Sequence, residues 1–274
     1  MLAYEFMRVA FVVAILLGIA LPIVGSSAVF KRLSSSGDAL AHSSLAGVAI
    51  GLAAGLNPLL ISILACVVSF LIIELLRKKF SKYSELGVAV VLSAAIGVAG
   101  ILSSFTTASN FDSYLFGSIL LISKTELYFT IALAVCVVLF YLVFFNPLFL
   151  TLYSESEAKV QKVRINILTF IQDLLLSITV AIGAKVVGSL VVSSLLVLPV
   201  AISLQFKKGY HRTMILSVIF SVISSIVGLV LSYYLNLKPG ATITSFSVTL
   251  LLLVLIGKGI QSLIQKKSTK KISS

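Results

Sequence analysis

Two residues able to bind a metal ion stand four positions apart near the start of an apolar segment. Asp38 and His42 fall on one face of a helix, where side chains at this spacing are about 6 Å apart at Cβ. A carboxylate oxygen and an imidazole nitrogen form a ligand set that suits zinc, manganese or iron. The spacing equally allows a structural role, in which Asp38 caps the helix N-terminus and His42 is its local partner. Four surrounding serines would supply supporting hydrogen bonds: Ser35, Ser36, Ser43 and Ser44.

Few other ionisable residues lie within apolar segments. Asp173 is the ninth residue of the segment 165–184. A charge at mid-bilayer costs about 2.5–3.5 kcal/mol on insertion scales, so it normally faces a partner or a cavity. We expect Asp173 to bond Lys185 or a nearby backbone group, with a place along an ion path as the alternative. His211 stands in a basic cluster and is expected to be a solvated loop residue.

The segments around these residues are those of a membrane protein. Of the 274 residues, 59% are hydrophobic and 11% are charged, and the mean hydropathy is +1.16. Soluble domains are about 45–50% apolar and about 25% charged. The composition therefore excludes an ordinary soluble enzyme and a disordered protein. The net charge of +12 is concentrated in short basic clusters between apolar segments, which indicates cytoplasmic loops and not a nucleic-acid-binding surface.

Nine apolar segments approach the length of about 20 residues that a helix needs to cross the bilayer. They are 9–30, 39–56, 58–76, 86–105, 127–150, 165–184, 186–206, 213–235 and 241–258. The predicted fold class is all-α, a polytopic transmembrane helix bundle of about 8–9 membrane helices, with the chain 1–274 as a single domain. The segment 111–122 is too short to cross and is predicted to be a short or re-entrant element.

The basic clusters orient the bundle when they are placed in the cytoplasm. Every short loop assigned inside then carries at least two basic residues, and no external loop carries more than one. The N-terminus is external and the C-terminus is cytoplasmic. The clusters are Lys31 and Arg32; Arg77, Lys78, Lys79 and Lys82; Lys159, Lys162 and Arg164; Lys207, Lys208 and Arg212; and Lys266, Lys267, Lys270 and Lys271.

The stretch that contains the candidate ligand pair is similar to the motif of a known family. Residues 37–47 read GDALAHSSLAG, directly after a first span that ends in basic residues. Residues 185–199 read KVVGSLVVSSLLVLP and are similar to that family's VGxLLVxxLLxxP segment. Shorter agreements lie at residues 114–120 and 239–241. Over about residues 8–260 the chain resembles the membrane permease subunits of ABC importers for zinc and manganese, the ABC-3 type.

This resemblance implies a type II ABC importer permease that forms a homodimer in the cell membrane of a bacterium. Two cytoplasmic ATP-binding subunits would bind beneath it, and an extracellular metal-binding protein or lipoprotein would deliver the ion. The permease is then not itself an enzyme and holds no permanent cofactor, because the divalent metal is its cargo. Membrane lipid is an expected partner and nucleic acid is not. The family's metal path includes an aspartate and a histidine that match Asp38 and His42.

The resemblance also implies where the ATPase binds. Residues 152–163 resemble the family's ATPase-facing loop, with Glu155, Glu157 and Ala158 as the contact residues. Lys162 and Val163 stand where that loop usually carries a glycine, which is a departure from the pattern.

The identity of the metal rests on one position. Ala46 stands where many manganese-type members have proline, which favours zinc over manganese. The alternative function is a gradient-driven secondary metal transporter that works without an ATPase and uses Asp38, His42 and Asp173 as a proton or ion relay.

Overall fold

A computed structural model of the chain describes residues 5–80, 83–104, 122–153, 155–161 and 164–272, with the backbone alone for 84, 155 and 262–272. Over this part the chain forms eleven α-helices and no β-strand, which confirms the all-α class. The helices are α1 (Glu5–Phe30), α2 (Ser34–Ala53), α3 (Pro58–Lys79), α4 (Ser84–Ser103), α5 (Lys124–Val143), α6 (Phe145–Tyr153), α7 (Glu155–Val160), α8 (Ile165–Val187), α9 (Ser189–Leu204), α10 (Tyr210–Leu235) and α11 (Pro239–Ile272).

Seven of these helices are long and apolar enough to cross a membrane: α1, α3, α4, α5, α8, α10 and α11. The two other predicted spans are also helices, but α9 has 16 residues and α2 carries several polar side chains. The polytopic bundle is therefore confirmed, with a helix count close to the predicted one. The predicted short element at 111–122 lies, except for Ile122, outside the described residues.

The fifth predicted span, 127–150, is wrong as a single helix. The chain leaves the helical path at Phe144, between α5 and α6. Pro147 accounts for the break, because a proline ring clashes with the carbonyl four residues earlier, here that of Val143. In the observed arrangement Pro147 lies in the first turn of α6, where the missing N–H has no intrahelical partner to lose.

The second span begins earlier than predicted. Helix α2 starts at Ser34, so Asp38 is its fifth residue and not a cap, and Leu33 at the cap position provides no side-chain hydrogen bond. Serine and glycine are weak helix formers, but tertiary packing overrides such preferences. A Cβ added at Gly37 would lie 3.1 Å from a methyl group of Leu196 on α9, so this turn of α2 is held against its neighbour.

Helix α1 lies at the centre of the largest core cluster and packs against α5, α8, α9 and α10. Helix α2 packs mainly against α3 and α4, and also against α8 and α9. Gly47 permits the close approach of α2 to α3, since a Cβ there would lie 2.7 Å from both Ala65 Cβ and Ser62 Cα. Gly188, at φ 96°, allows the abrupt turn between α8 and α9.

Candidate metal site

The two candidate ligands lie on the open side of α2. Asp38 is exposed and His42 is partly exposed, whereas Ala39, Leu40 and Ala41 between them are buried. Ser35, which is also exposed, lies one turn before Asp38 on the same side. The helix therefore presents a polar stripe formed by Ser35, Asp38 and His42, while its other side packs into the bundle.

The stripe has no partner within the part of the chain that the structure describes. Neither Asp38 nor His42 makes a hydrogen bond or an ion pair with a described residue. The alternative in which Asp38 caps the helix and His42 satisfies it is therefore wrong. An ionisable pair within a membrane helix that has no protein partner normally faces a cavity, water or a further ligand, and this is what we expect for a pair unpartnered among the described residues.

The neighbouring serines do not support the pair as expected. The Ser43 hydroxyl donates to the carbonyl oxygen of Ala39 at 2.7 Å, and the Ser44 hydroxyl donates to that of Ala181 on α8 at 3.4 Å. Both hydroxyl donors are thus committed to backbone groups. Ser43 and Ser44 stabilise α2 and its contact with α8 and do not orient the candidate ligands.

The stripe by itself offers an incomplete coordination shell. The described residues contain no group of three or more His, Cys, Asp and Glu side chains able to hold a metal ion. A structural zinc site normally has four protein ligands. One carboxylate and one imidazole therefore leave such a shell incomplete, unless ligands come from outside this part of the chain.

The charges on α8 are satisfied, although not by the expected partners. The Lys31 ammonium, just after α1, donates to Asp173 Oδ1 at 3.0 Å, and both side chains are 15% exposed. Lys185 instead pairs with Glu126 in the first turn of α5. The predicted bond between Asp173 and Lys185 is therefore wrong: the two residues lie twelve positions apart on one helix, about 18 Å along its axis.

A buried hydroxyl network beside the Lys31–Asp173 pair escaped the sequence analysis. The Tyr141 hydroxyl donates to Ser27 Oγ at 2.9 Å, and Ser27 lies 3.0 Å from the Tyr210 hydroxyl. Gln172 Nε2 donates to the Tyr141 hydroxyl at 3.2 Å. The network joins α1, α5, α8 and α10. A tyrosine inside an apolar span is the signal that could have revealed it, because a buried phenol normally finds a hydrogen-bond partner.

The predicted ATPase-facing residues lie on or next to the short helix α7. Glu157 is exposed, whereas Ala158 is fully buried within the chain. The side chain of Glu155 is outside the described set. Val160, on the same helix, is an apolar residue whose side chain is 83% exposed.

His211 does not lie in a loop. It is the second residue of α10, exposed, with its ring packed edge-on against Phe145 at 5.2 Å between centroids.

Comparison with known proteins places the chain in a family. The ABC 3 transport family matches residues 3–258. A probable metal transport system membrane protein of Treponema pallidum is 39% identical over 257 residues, covering 93% of this chain and 96% of that protein. The high-affinity zinc uptake system membrane protein ZnuB of Haemophilus influenzae is 30% identical and covers 88% and 95%. The manganese transport system membrane protein MntC of Listeria monocytogenes is 25% identical and covers 99% and 98%.

A solved structure has the same fold. PsaBC from Streptococcus pneumoniae in complex with Fab superposes with a TM-score of 0.81 at 24% identity, covering 92% of this chain and 91% of that one. The helical bundle, the family match along nearly the whole chain and the curated relatives agree. The chain is a multi-pass membrane protein of the ABC 3 transport family.

Proposed function

We propose that the chain is the membrane-spanning permease of an importer that moves divalent metal ions, zinc ahead of manganese, into a bacterial cell. The observation that carries the proposal is the polar stripe of α2, where Asp38 is exposed, His42 is partly exposed and neither has a partner among the described residues. An importer needs ligands that hold an ion weakly enough to release it, and an incomplete carboxylate–imidazole pair meets that need.

A second copy of the chain would complete the ligand set. In a homodimer related by a two-fold axis, the same surface of both copies meets. Two stripes brought together in this way would offer two carboxylates and two imidazoles, which is enough for a four-coordinate ion. The outward position of Asp38 and His42 on α2 supports this arrangement, because residues sealed inside the bundle would be unable to meet a second copy.

The preference for zinc rests on Ala46, because one carboxylate and one imidazole from each copy suit zinc and manganese alike. Ala46 is 6% exposed and packs with Ala95 and Ala99 of α4. It would therefore influence the choice of metal through the position of α2 against α4 and not by touching the ion.

The energy source in this proposal is a separate cytoplasmic ATPase, with a metal-binding protein or lipoprotein supplying the ion outside. Helix α7 is the docking element, where the buried Ala158 seats the helix against its own chain and the exposed Glu157 contacts the ATPase, together with Glu155. Val160, which is 83% exposed, adds an apolar contact. A mixed apolar and charged surface of this kind is typical of a protein interface.

A gradient-driven transporter that relays protons through Asp38, His42 and Asp173 has less support. Asp173 is held by Lys31 at 3.0 Å, and it makes no described contact with the polar stripe of α2. A relay needs its groups within hydrogen-bond reach of one another or of shared water.

Metal uptake by proteoliposomes containing the permease, its ATPase and its binding protein tests the proposal. Asp38→Ala and His42→Ala should each lower ATP-dependent zinc uptake at least about tenfold, because removing one ligand of an incomplete set weakens ion binding by 1.4 kcal/mol or more. Zinc should be taken up in preference to manganese. Ser35→Ala, on the same stripe, is the matched control and should transport normally.

Each variant must first be shown to assemble with the ATPase. Normal uptake by both Asp38→Ala and His42→Ala would overturn the site. Uptake that persists without the ATPase would overturn the importer in favour of a secondary transporter.

A further inference from the structure

A cavity of about 560 Å³ opens at the end of the bundle that the positive-inside rule assigns to the cytoplasm. The ends of α1 and α3, the end of α6 and the first turns of α8 line it. Its charged side chains come from two of the predicted basic clusters and from two acidic residues inside the bundle. They are Lys31, Glu74, Arg77, Lys78 and Asp173.

The charges in this cavity do not balance. Lys31 and Asp173 neutralise each other at 3.0 Å. Glu74 faces two cations, with Arg77 Nη1 at 3.3 Å and Lys78 Nζ at 3.6 Å. The described lining therefore carries one positive charge in excess. A metal cation would be repelled by it, whereas a singly charged anion would neutralise it.

Arg77 has hydrogen-bonding capacity to spare. Its Nη1 donates to Glu74 Oε2 at 3.3 Å and its Nε is buried without a partner among the described residues, so Nη2 is the nitrogen left for a ligand. The guanidinium group presents its donors in a fork that matches the geometry of a phosphate. Lys78, with a side chain 73% exposed, can turn its ammonium toward the same ligand.

The rest of the lining suits a molecule with a polar head and an apolar tail. Asn166 and Tyr153 supply neutral polar groups, and both are exposed. Phe170 forms an apolar wall and is 44% exposed, so this wall continues onto the outer surface of α8. Ile167 and Ile171 on the same helix are 52% and 38% exposed, which extends an apolar surface alongside the cavity.

We propose that this cavity binds the headgroup of an anionic glycerophospholipid of the cytoplasmic leaflet, with its phosphodiester on Arg77 and Lys78. A phosphodiester carries the single negative charge that the lining requires, and its acyl chains would lie along α8. Basic pockets between membrane helices on the cytoplasmic side are a known form of lipid recognition. Thr151 and Tyr153 of the lining lie just before α7, so a bound lipid also holds the segment that leads into α7.

Native mass spectrometry of the full chain, released from nanodiscs of equimolar phosphatidylcholine and phosphatidylglycerol, measures which lipid is retained. The wild type should retain phosphatidylglycerol in preference. Each basic residue near an anionic headgroup contributes about fivefold in affinity, so the double variant Arg77→Gln, Lys78→Gln should lower the relative retention about 25-fold. Lys208→Gln, Arg212→Gln is the matched control, because it removes one lysine and one arginine from another cluster.

Lys78→Gln alone guards against misfolding of the double variant, since this side chain is 73% exposed. It should lower retention about fivefold. In a parallel experiment the chain is placed in phosphatidylcholine nanodiscs, and inorganic phosphate or glycerol 3-phosphate is added in place of the anionic lipid. The same mass spectrometry measures how much of each anion the chain retains.

Loss of retention in the Arg77 and Lys78 variants, with retention intact in the control, supports the proposal. Equal loss of retention in the control would contradict the proposal, because it would show that anionic lipid is attracted to basic loops in general and not to this cavity. If the chain retains inorganic phosphate as strongly as phosphatidylglycerol, the lipid proposal is wrong and the cavity binds a soluble anion. Unchanged retention with failed ATPase assembly would show that the cavity is a protein-docking site.

Discussion

Asp38 and His42 on α2 are open to the surroundings and have no partner among the described residues, whereas Asp173 and Lys185 on α8 are each largely buried in an ion pair. Both helices therefore place ionisable groups within apolar segments, where an unpaired charge is expensive. On α8 the chain itself supplies a counter-charge twice, for Asp173 in the first half of the helix and for Lys185 in its last turn. On α2 the partner of Asp38 and His42 must come from outside the described part of the chain.

We propose that this difference separates charges that hold the fold from charges that bind the metal ion. An ion pair buried in its own chain fixes how two helices lie against each other, and its loss is felt mainly as instability. An unpartnered pair contributes little to the fold, so its presence calls for a ligand or a second subunit. Substitutions at the ion pairs of α8 should therefore lower mainly the stability of the fold. Substitutions of Asp38 and His42 on α2 should lower mainly metal uptake.

Asp173→Ala should have the largest effect on stability, lowering the free energy of unfolding by about 3 kcal/mol, because it leaves the Lys31 ammonium largely buried without its counter-charge. Thermal and denaturant unfolding in detergent micelles measure the loss. The double variant Asp173→Leu, Lys31→Met should recover most of it. If single and double variants are equally unstable, the ion pair is not the cause.

Lys185→Met should lower the free energy of unfolding less, by about 1–2 kcal/mol. Glu126 would keep the hydrogen bond that the Ser123 backbone N–H donates at 2.9 Å, and it lies in the first turn of α5, where a negative charge is favourable. The same unfolding assay measures the effect. A loss as large as that of Asp173→Ala would contradict this ranking of the two ion pairs of α8.

Asp38→Ala and His42→Ala should change the free energy of unfolding by less than about 0.5 kcal/mol, because Asp38 is exposed, His42 is partly exposed and neither has a partner among the described residues. The same two variants should nearly abolish metal uptake by the assembled complex. Measuring unfolding and uptake on one preparation tests both halves together. A large loss of stability would show that these side chains hold the fold, as the ion pairs of α8 do.

His211→Ala should have the smallest effect, with metal uptake within about twofold of the wild type, since substitutions at exposed positions away from a site are usually close to neutral. The chain has two histidines, and His211 lies at the start of α10 against Phe145. It is therefore the control for His42→Ala. Equal loss of uptake in both variants would break the assignment of the ligand role to α2.

Much of the bundle was predictable because hydropathy and charge are local properties. Seven of the nine predicted spans are helices able to cross a membrane, and the two others are helices as well. The errors lie where one residue or one contact decides the outcome. Pro147 divides the fifth span, and packing against Leu196 carries the start of α2 back to Ser34.

The candidate site was predictable only as a pair of residue types. The four-residue spacing places Asp38 and His42 on one face of a helix, whatever that helix packs against. It does not say which face is covered, so a helix cap and a metal site were equally acceptable until the fold placed Asp38 in the fifth position of α2 on its open side. The role of Ser43 and Ser44 was equally unpredictable. Their hydroxyl groups donate to backbone carbonyls, and residue spacing alone does not identify those acceptors.

By itself the sequence determined an all-α membrane bundle and its approximate spans, and it nominated the candidate metal ligands, because each depends on stretches of about 20 residues or fewer. Only the tertiary structure decided which charges are satisfied. Lys31 and Asp173 are 142 residues apart in the chain, and Glu126 and Lys185 are 59 apart. Partners at such separations meet through the packing of whole helices, which no local pattern specifies.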